Sequence, residues 1–195
     1  MNAAQADAVV SHPSRTAPLV VTASLPPELQ ARLDRLRRAH FPAERNWISA
    51  HVTLFHSLPP QVEAEARDLL PRMASATPPV DAQLRRVMDL GTGTAFLIES
   101  PAMIALRDSI AEHFHGMLTV QDSHRPRLHV TIQNKVSQGE ARALQELLAR
   151  NFEPSRFAFA GLALHRYLGG PWEAIGRWPF RAALQHKPRR IRTVT

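Results

Sequence analysis

Cysteine is absent from the 195 residues. A disulfide scaffold and a thiolate zinc site are therefore both excluded. No apolar run approaches the roughly 20 residues that a membrane-spanning helix needs. The N-terminal residues, MNAAQADAVVSHPSRTAPLVV, lack a basic stretch followed by an apolar one. No secretory signal is read there, and a cytoplasmic location without membrane partners is expected. Lysine is scarce as well: Lys135 and Lys187 are the only two, so arginine carries almost all of the positive charge. The remaining composition, 44% hydrophobic and 21% charged, is that of an ordinary globular chain. Its length suits one domain, or two small lobes sharing a core.

The net charge of +7 is unevenly placed. Residues 181–195 hold Arg181, Lys187, Arg189, Arg190 and Arg192 and no acid, which leaves 19 basic against 17 acidic residues on the rest. A nearly neutral fold with a basic tail is expected, not a strongly basic domain. Such a tail either binds RNA non-specifically through its charge or is simply solvated. Residues 1–17 are small, polar and aperiodic and read as a disordered leader.

Between leader and tail, short β-rich runs alternate with helical patterns. PLVVTASL (18–25) reads as a strand. Pro26 and Pro27 open a helix with Leu29, Leu33 and Leu36 at helical spacing, and Pro42 ends it. SAHVTLFHSL is a second strand, and a helix after Pro60 carries Val62, Ala66, Leu69 and Met73 on one face. Residues 79–89 read as a third strand. The order then repeats. TAFLIES (94–100) is a strand, Pro101 opens a helix striped by Met103, Leu106, Ile110 and Phe114, and RLHVTIQNKV is a strand. Ser137 and Glu140 form a capping-box pattern ahead of Ala141, Leu144 and Leu148. Residues 155–168 and 172–181 read as a hairpin turned by Gly169, Gly170 and Pro171. Gly91 and Gly93 are expected in the turn between the two halves.

Matching landmarks keep a nearly constant offset: 75 residues from Pro26 to Pro101, 78 from His51 to His129, and 77 from Pro60 to Ser137. That regularity points to an internal duplication. Each half reads strand–helix–strand–helix–strand, an α+β sheet with helices on one face. The expected division is a lobe of about 18–90 and a lobe of about 91–180, with strand exchange between them left open.

The duplication contains one short match, HVTL at 51–54 and HVTI at 129–132. Side chains on a strand alternate between faces, so His51 and Thr53 point one way, as do His129 and Thr131. Related halves packed about a pseudo-twofold axis would gather these four groups across one cleft. Threonine hydroxyls can donate to nonbridging phosphate oxygens. Two imidazoles, with an unperturbed pKa of about 6.5, can serve one as base and the other as acid on opposite sides of a phosphorus. Neither metal nor cofactor is needed if the substrate is a strained cyclic phosphate.

With these residues the chain resembles the 2H phosphoesterase superfamily and, within it, the 2′-5′ RNA ligase-like proteins. Their hallmark is a pair of H-x-[ST]-hydrophobic motifs, matched in full at 51–54 and 129–132, and the likeness in layout spans about residues 18–180. The resemblance implies a bilobal, duplicated α+β fold, with two antiparallel sheets flanking a central cleft and helices outside. It implies opening of 2′,3′-cyclic phosphates at the ends of RNA or on nucleotides, with reverse 2′-5′ joining in some members. His51 and His129 are then the catalytic pair, and Thr53 and Thr131 hold the phosphate. The substrate partners would be RNA ends or cyclic-phosphate nucleotides, met by a monomer.

Continuing the alternation adds Phe55, Gln133 and Lys135 to the same face, and Arg125 and Arg127 flank the second motif. Phe55, Arg127, Gln133 and Lys135 are the expected further substrate contacts. His113 and His115 would not face one another on a helix, so no metal site is read there. Two other readings compete: an RNA-binding module without turnover, and an enzyme of the same kind acting on a cyclic phosphate outside RNA.

Overall fold

The computed structural model describes residues 16–183. The leader expected over 1–17 and the basic tail expected over 181–195 lie almost wholly outside the described residues. The chain runs β1 (Leu19–Ser24), α1 (Pro27–His40), β2 (Val52–Leu58), α2 (Glu63–Ala76), β3 (Val80–Asp89), β4 (Gly93–Glu99), α3 (Pro101–His113), α4 (Val120–Ser123), β5 (His129–Asn134), α5 (Gln138–Arg150), β6 (Ser155–Phe159), β7 (Gly161–Tyr167) and β8 (Trp172–Pro179).

Local chemistry accounts for the helix starts. Pro27 and Pro101 stand at the first turns of α1 and α3, where a missing N–H costs nothing. The Ser100 hydroxyl accepts from the Met103 amide. The capping box at α5 is complete: Ser137 Oγ accepts from the Glu140 amide at 3.2 Å and the Glu140 carboxylate accepts from the Ser137 amide at 2.9 Å. Among the described residues, no helix is long and apolar enough to cross a membrane.

Two antiparallel four-stranded sheets result, ordered β2-β1-β7-β8 and β5-β4-β3-β6. Helix α2 packs on β7 and β8, and α3 and α5 pack on the other sheet, so the architecture is α+β with duplicated sheets. The strands do not stay within their halves of the sequence. β3 joins β4 of the second half, while β7 and β8 return to β1 of the first. The turn at Gly91 consequently sits inside one sheet and not between the lobes. Gly91 takes φ +80 there and its amide donates to Asp89 Oδ1 at 2.7 Å.

Residues 155–168, expected as one arm of a hairpin, are two strands in different sheets. β6 pairs with β3, the chain crosses over at Ala160, and β7 pairs with β1 and β8. Gly161 makes the crossing feasible, because a Cβ there would come within 2.3 Å of the Trp178 carbonyl oxygen. The hairpin of β7 and β8 itself forms as expected.

In each sheet the strand carrying an HxT motif lies at the edge, and these two edges, β2 and β5, come against one another. Both strands bulge at the same place. Thr22 pairs with Thr53 and Val21 with Phe55, which leaves Leu54 as the extra residue; Ala95 pairs with Thr131 and Thr94 with Gln133, which leaves Ile132. A bulge resets the side-chain alternation. The burial sequence is accordingly the same over Val52–His56 and Val130–Asn134, with two consecutive buried residues following the half-buried threonine.

Candidate active site

The bulges fix which side chains stay on the face of the two histidines. Thr53 and Thr131 precede the extra residue and stay half-buried beside their histidines. Phe55 and Gln133 follow it and leave the expected face. Phe55 is 0% exposed in the core, with the Arg107 guanidinium 4.5 Å from its ring centroid. Gln133 is 7% exposed. Strict alternation placed both on the face of the histidines; the bulge removes them from it and buries them. Lys135 is exposed, just past the end of β5. Arg127 is exposed too, while Arg125 is engaged by Asp108 at 2.7 Å. His113 pairs with Glu65 at 2.7 Å.

Both histidines sit where their strands begin, and both are held the same way. His51 Nδ1 lies 2.8 Å from the Ser49 carbonyl oxygen, and His129 Nδ1 lies 2.7 Å from the Arg127 carbonyl oxygen. A carbonyl only accepts, so each Nδ1 carries the proton and donates it. Each Nε2 is therefore the atom left to exchange protons. The half-buried His51 ring is pushed down to a pKa of about 4, chiefly by burial. The positive charge of Arg37 adds to the effect, as do His165 and His129, while the Ser49 carbonyl opposes it. That direction keeps His51 a neutral imidazole near neutral pH.

The pocket on the His51 side has a volume of about 350 Å³ and is lined by Thr22, Gln30, His51, His165, Trp172 and Arg177 among others. The Trp172 ring stands 4.7 Å from His51 and 5.4 Å from His165, centroid to centroid. His165 Nε2 is 3.3 Å from Thr22 Oγ1. Burial lowers the His165 pKa, and Arg177 pushes the same way. Sequence reasoning missed His165 and Trp172. They lie on a hairpin far along the chain from His51, have no counterpart in the duplication, and arrive through the pairing of β1 with β7.

Two polar clamps join the halves around the site. Arg37 of α1 is 3% exposed and donates to the Thr131 carbonyl at 2.8 Å, to Asn46 Oδ1 at 2.9 Å and to the Ile48 carbonyl at 3.2 Å. It thus ties the loop leading into His51 to the strand of His129. In the opposite sense, Asp122 of α4, which leads towards His129, reaches the strand of His51. Its carboxylate accepts from the His56 amide at 2.9 Å and the Ser57 amide at 2.8 Å, and faces His56 Nδ1 at 3.2 Å. Burial tends to raise the Asp122 pKa, but these hydrogen bonds outweigh it and hold the carboxyl below its ordinary value. Arg107 donates to the Asp122 carbonyl. Among the described residues, no three histidine, aspartate or glutamate side chains gather as a metal-binding group.

The fold has solved counterparts. A protein of Thermus thermophilus, TT0787, is 18% identical with a TM-score of 0.58, over 86% of this chain and 100% of its own. Escherichia coli LigT, solved with 3′-AMP, is 18% identical with a TM-score of 0.54, over 86% of this chain and 99% of its own. A further structure, described as a phosphoesterase, is 19% identical with a TM-score of 0.54, over 85% and 99% of the two chains. No curated protein matches in sequence. The family model of the 2′-5′ RNA ligase superfamily matches residues 25–171, a span that contains both HxT motifs, the whole β5-β4-β3-β6 sheet and strands β2 and β7 of the other, and the chain belongs to that superfamily.

Proposed function

We propose that the chain is a metal-independent cyclic phosphodiesterase that opens 2′,3′-cyclic phosphates of RNA ends or nucleotides. The observation that carries this reading is the duplicated Nδ1–H to carbonyl lock, which leaves His51 Nε2 and His129 Nε2 as paired proton-exchanging atoms on abutting edge strands. The lowered pKa of His51 suits it to the role of base. His51 Nε2 takes a proton from water as the water oxygen bonds to phosphorus. A ring P–O bond breaks, and the departing ribose oxygen receives a proton from His129 Nε2. The Thr53 and Thr131 hydroxyls donate to the nonbridging oxygens, where negative charge builds. Escherichia coli LigT has been solved with 3′-AMP and with phosphate, ligands of the class this arrangement would hold. With a 5′-hydroxyl in place of water, the same proton transfers would bond that oxygen to phosphorus as the 3′ oxygen leaves and takes the proton, giving a 2′-5′ linkage.

Each of His51→Ala and His129→Ala should cut turnover of a 2′,3′-cyclic nucleotide by roughly 10²–10⁴-fold. Thermal unfolding of both variants should show a folded protein. Full activity in either one would reject the mechanism. The wild-type pH profile of kcat/KM should be bell-shaped, its two apparent pKa values belonging to the pair.

A further inference from the structure

A second depression, of about 300 Å³, has a lining that includes Phe41, Arg45, Trp47, Asn134, Lys135 and Tyr167. Its residues are near neighbours in the chain of those at the candidate site. Trp47 stands four residues before His51, the turn bearing Gly170 leads directly into Trp172, and Lys135 lies four residues beyond Thr131 on the exit from β5. Four strand residues span roughly 13 Å, so the depression begins a short way from the phosphate-holding threonine.

Its chemistry differs from that of an ordinary surface. Trp47 is 61% exposed and Tyr167 is 40% exposed, in a chain whose aromatics are only 6% of residues. The Trp47 indole lies over the turn at Gly170, where a Cβ would stand 3.7 Å from Trp47 Nε1, at ordinary contact distance. The tryptophan is thus placed against the turn yet keeps most of its surface open. Arg45 and Lys135 are both exposed, and neither side chain forms an ion pair among the described residues. No acidic side chain lines the depression. Lys135 also holds a left-handed backbone, φ 58, steadied by its amide donating to Asn134 Oδ1 at 2.8 Å.

Open aromatic faces beside unpaired cations, without acids, form the stacking platform and charge funnel that single-stranded nucleic acids use. Building on the proposed activity, we infer that this shelf binds the nucleotides preceding the terminal cyclic phosphate. Trp47 and Tyr167 stack on bases while Arg45 and Lys135 meet backbone phosphates. The preferred substrate is then a single-stranded RNA end and not a mononucleotide.

The test compares kcat/KM for 2′,3′-cyclic AMP with that for a short single-stranded oligoribonucleotide ending in a 2′,3′-cyclic phosphate. Trp47→Ala should lower kcat/KM on the oligonucleotide by roughly 5- to 150-fold, the worth of one stacked base. It should leave cyclic AMP turnover unchanged, and Trp47→Tyr should restore most of the loss. Arg45→Ala should flatten the salt dependence on the oligonucleotide alone. An unchanged oligonucleotide rate, or an equal loss on both substrates, overturns the shelf; the former would leave a protein partner as its occupant. If the wild type turns over neither substrate, the proposed activity fails. The shelf is then judged by oligoribonucleotide binding in fluorescence polarisation, where Trp47→Ala must weaken affinity or the inference falls.

Discussion

His51 is the residue on which protonation and folding meet. Its folded pKa, about 4, lies below the value of about 6.5 for an unfolded histidine. Between those values the unfolded chain takes up a proton that the folded chain refuses. The contribution of His51 to stability is therefore fully present above about pH 6.5 and drains away as pH falls towards 4. His51→Gln removes that linkage. Urea unfolding at a series of pH values should show wild type losing more stability than His51→Gln over this window. Parallel curves would mean that His51 is not held neutral, and would undercut its assignment as base. The carbonyls of Ser49 and Arg127 act at the same level of detail, each fixing a tautomer with a single backbone atom.

The motif strands depend on partners from the other half. β2 is an edge strand, and edge amides without acceptors are a liability. Asp122 supplies the acceptors for the His56 and Ser57 amides, so α4 closes the open side of β2. Asp122→Ala leaves both amides without that partner. It should cost about 2–4 kcal/mol in denaturant unfolding, with Asp122→Asn recovering part of the loss. A change within experimental error for Asp122→Ala would show that the clamp contributes nothing. The helices were legible in sequence at nearly every start, because capping is local: Ser137 with Glu140, or Pro101 at a first turn, needs no distant partner. The bulges at Leu54 and Ile132 were not. Each arises where a strand accommodates its neighbour's register, and no residue type in HVTL or HVTI announces it. Their consequence is specific, since they send Phe55 and Gln133 away from the face to which alternation assigned them.

Across the whole molecule, each sheet takes strands from both halves of the sequence, β3 joining β4 and β7–β8 joining β1, so the two sheets are expected to unfold together. The crossing at Ala160–Gly161 is the hinge of that exchange. Gly161→Ala would place a Cβ 2.3 Å from the Trp178 carbonyl oxygen and 2.9 Å from the Pro179 Cα, both backbone atoms that cannot swing away. We expect a clear fall in Tm and a single unfolding transition covering both sheets. Two separate transitions would contradict the exchange as the source of cooperativity. Short-range chemistry was enough to read the twin motifs, the helix caps, the α+β class and the near-neutral charge of the fold, because each is written in spacing and residue type. Long-range pairing assigned the strands to sheets, set the bulge register, and carried His165 and Trp172 to the side of His51. Those outcomes depend on which distant backbone groups find each other, and hydrogen-bond donors and acceptors on the main chain are alike at every residue but proline.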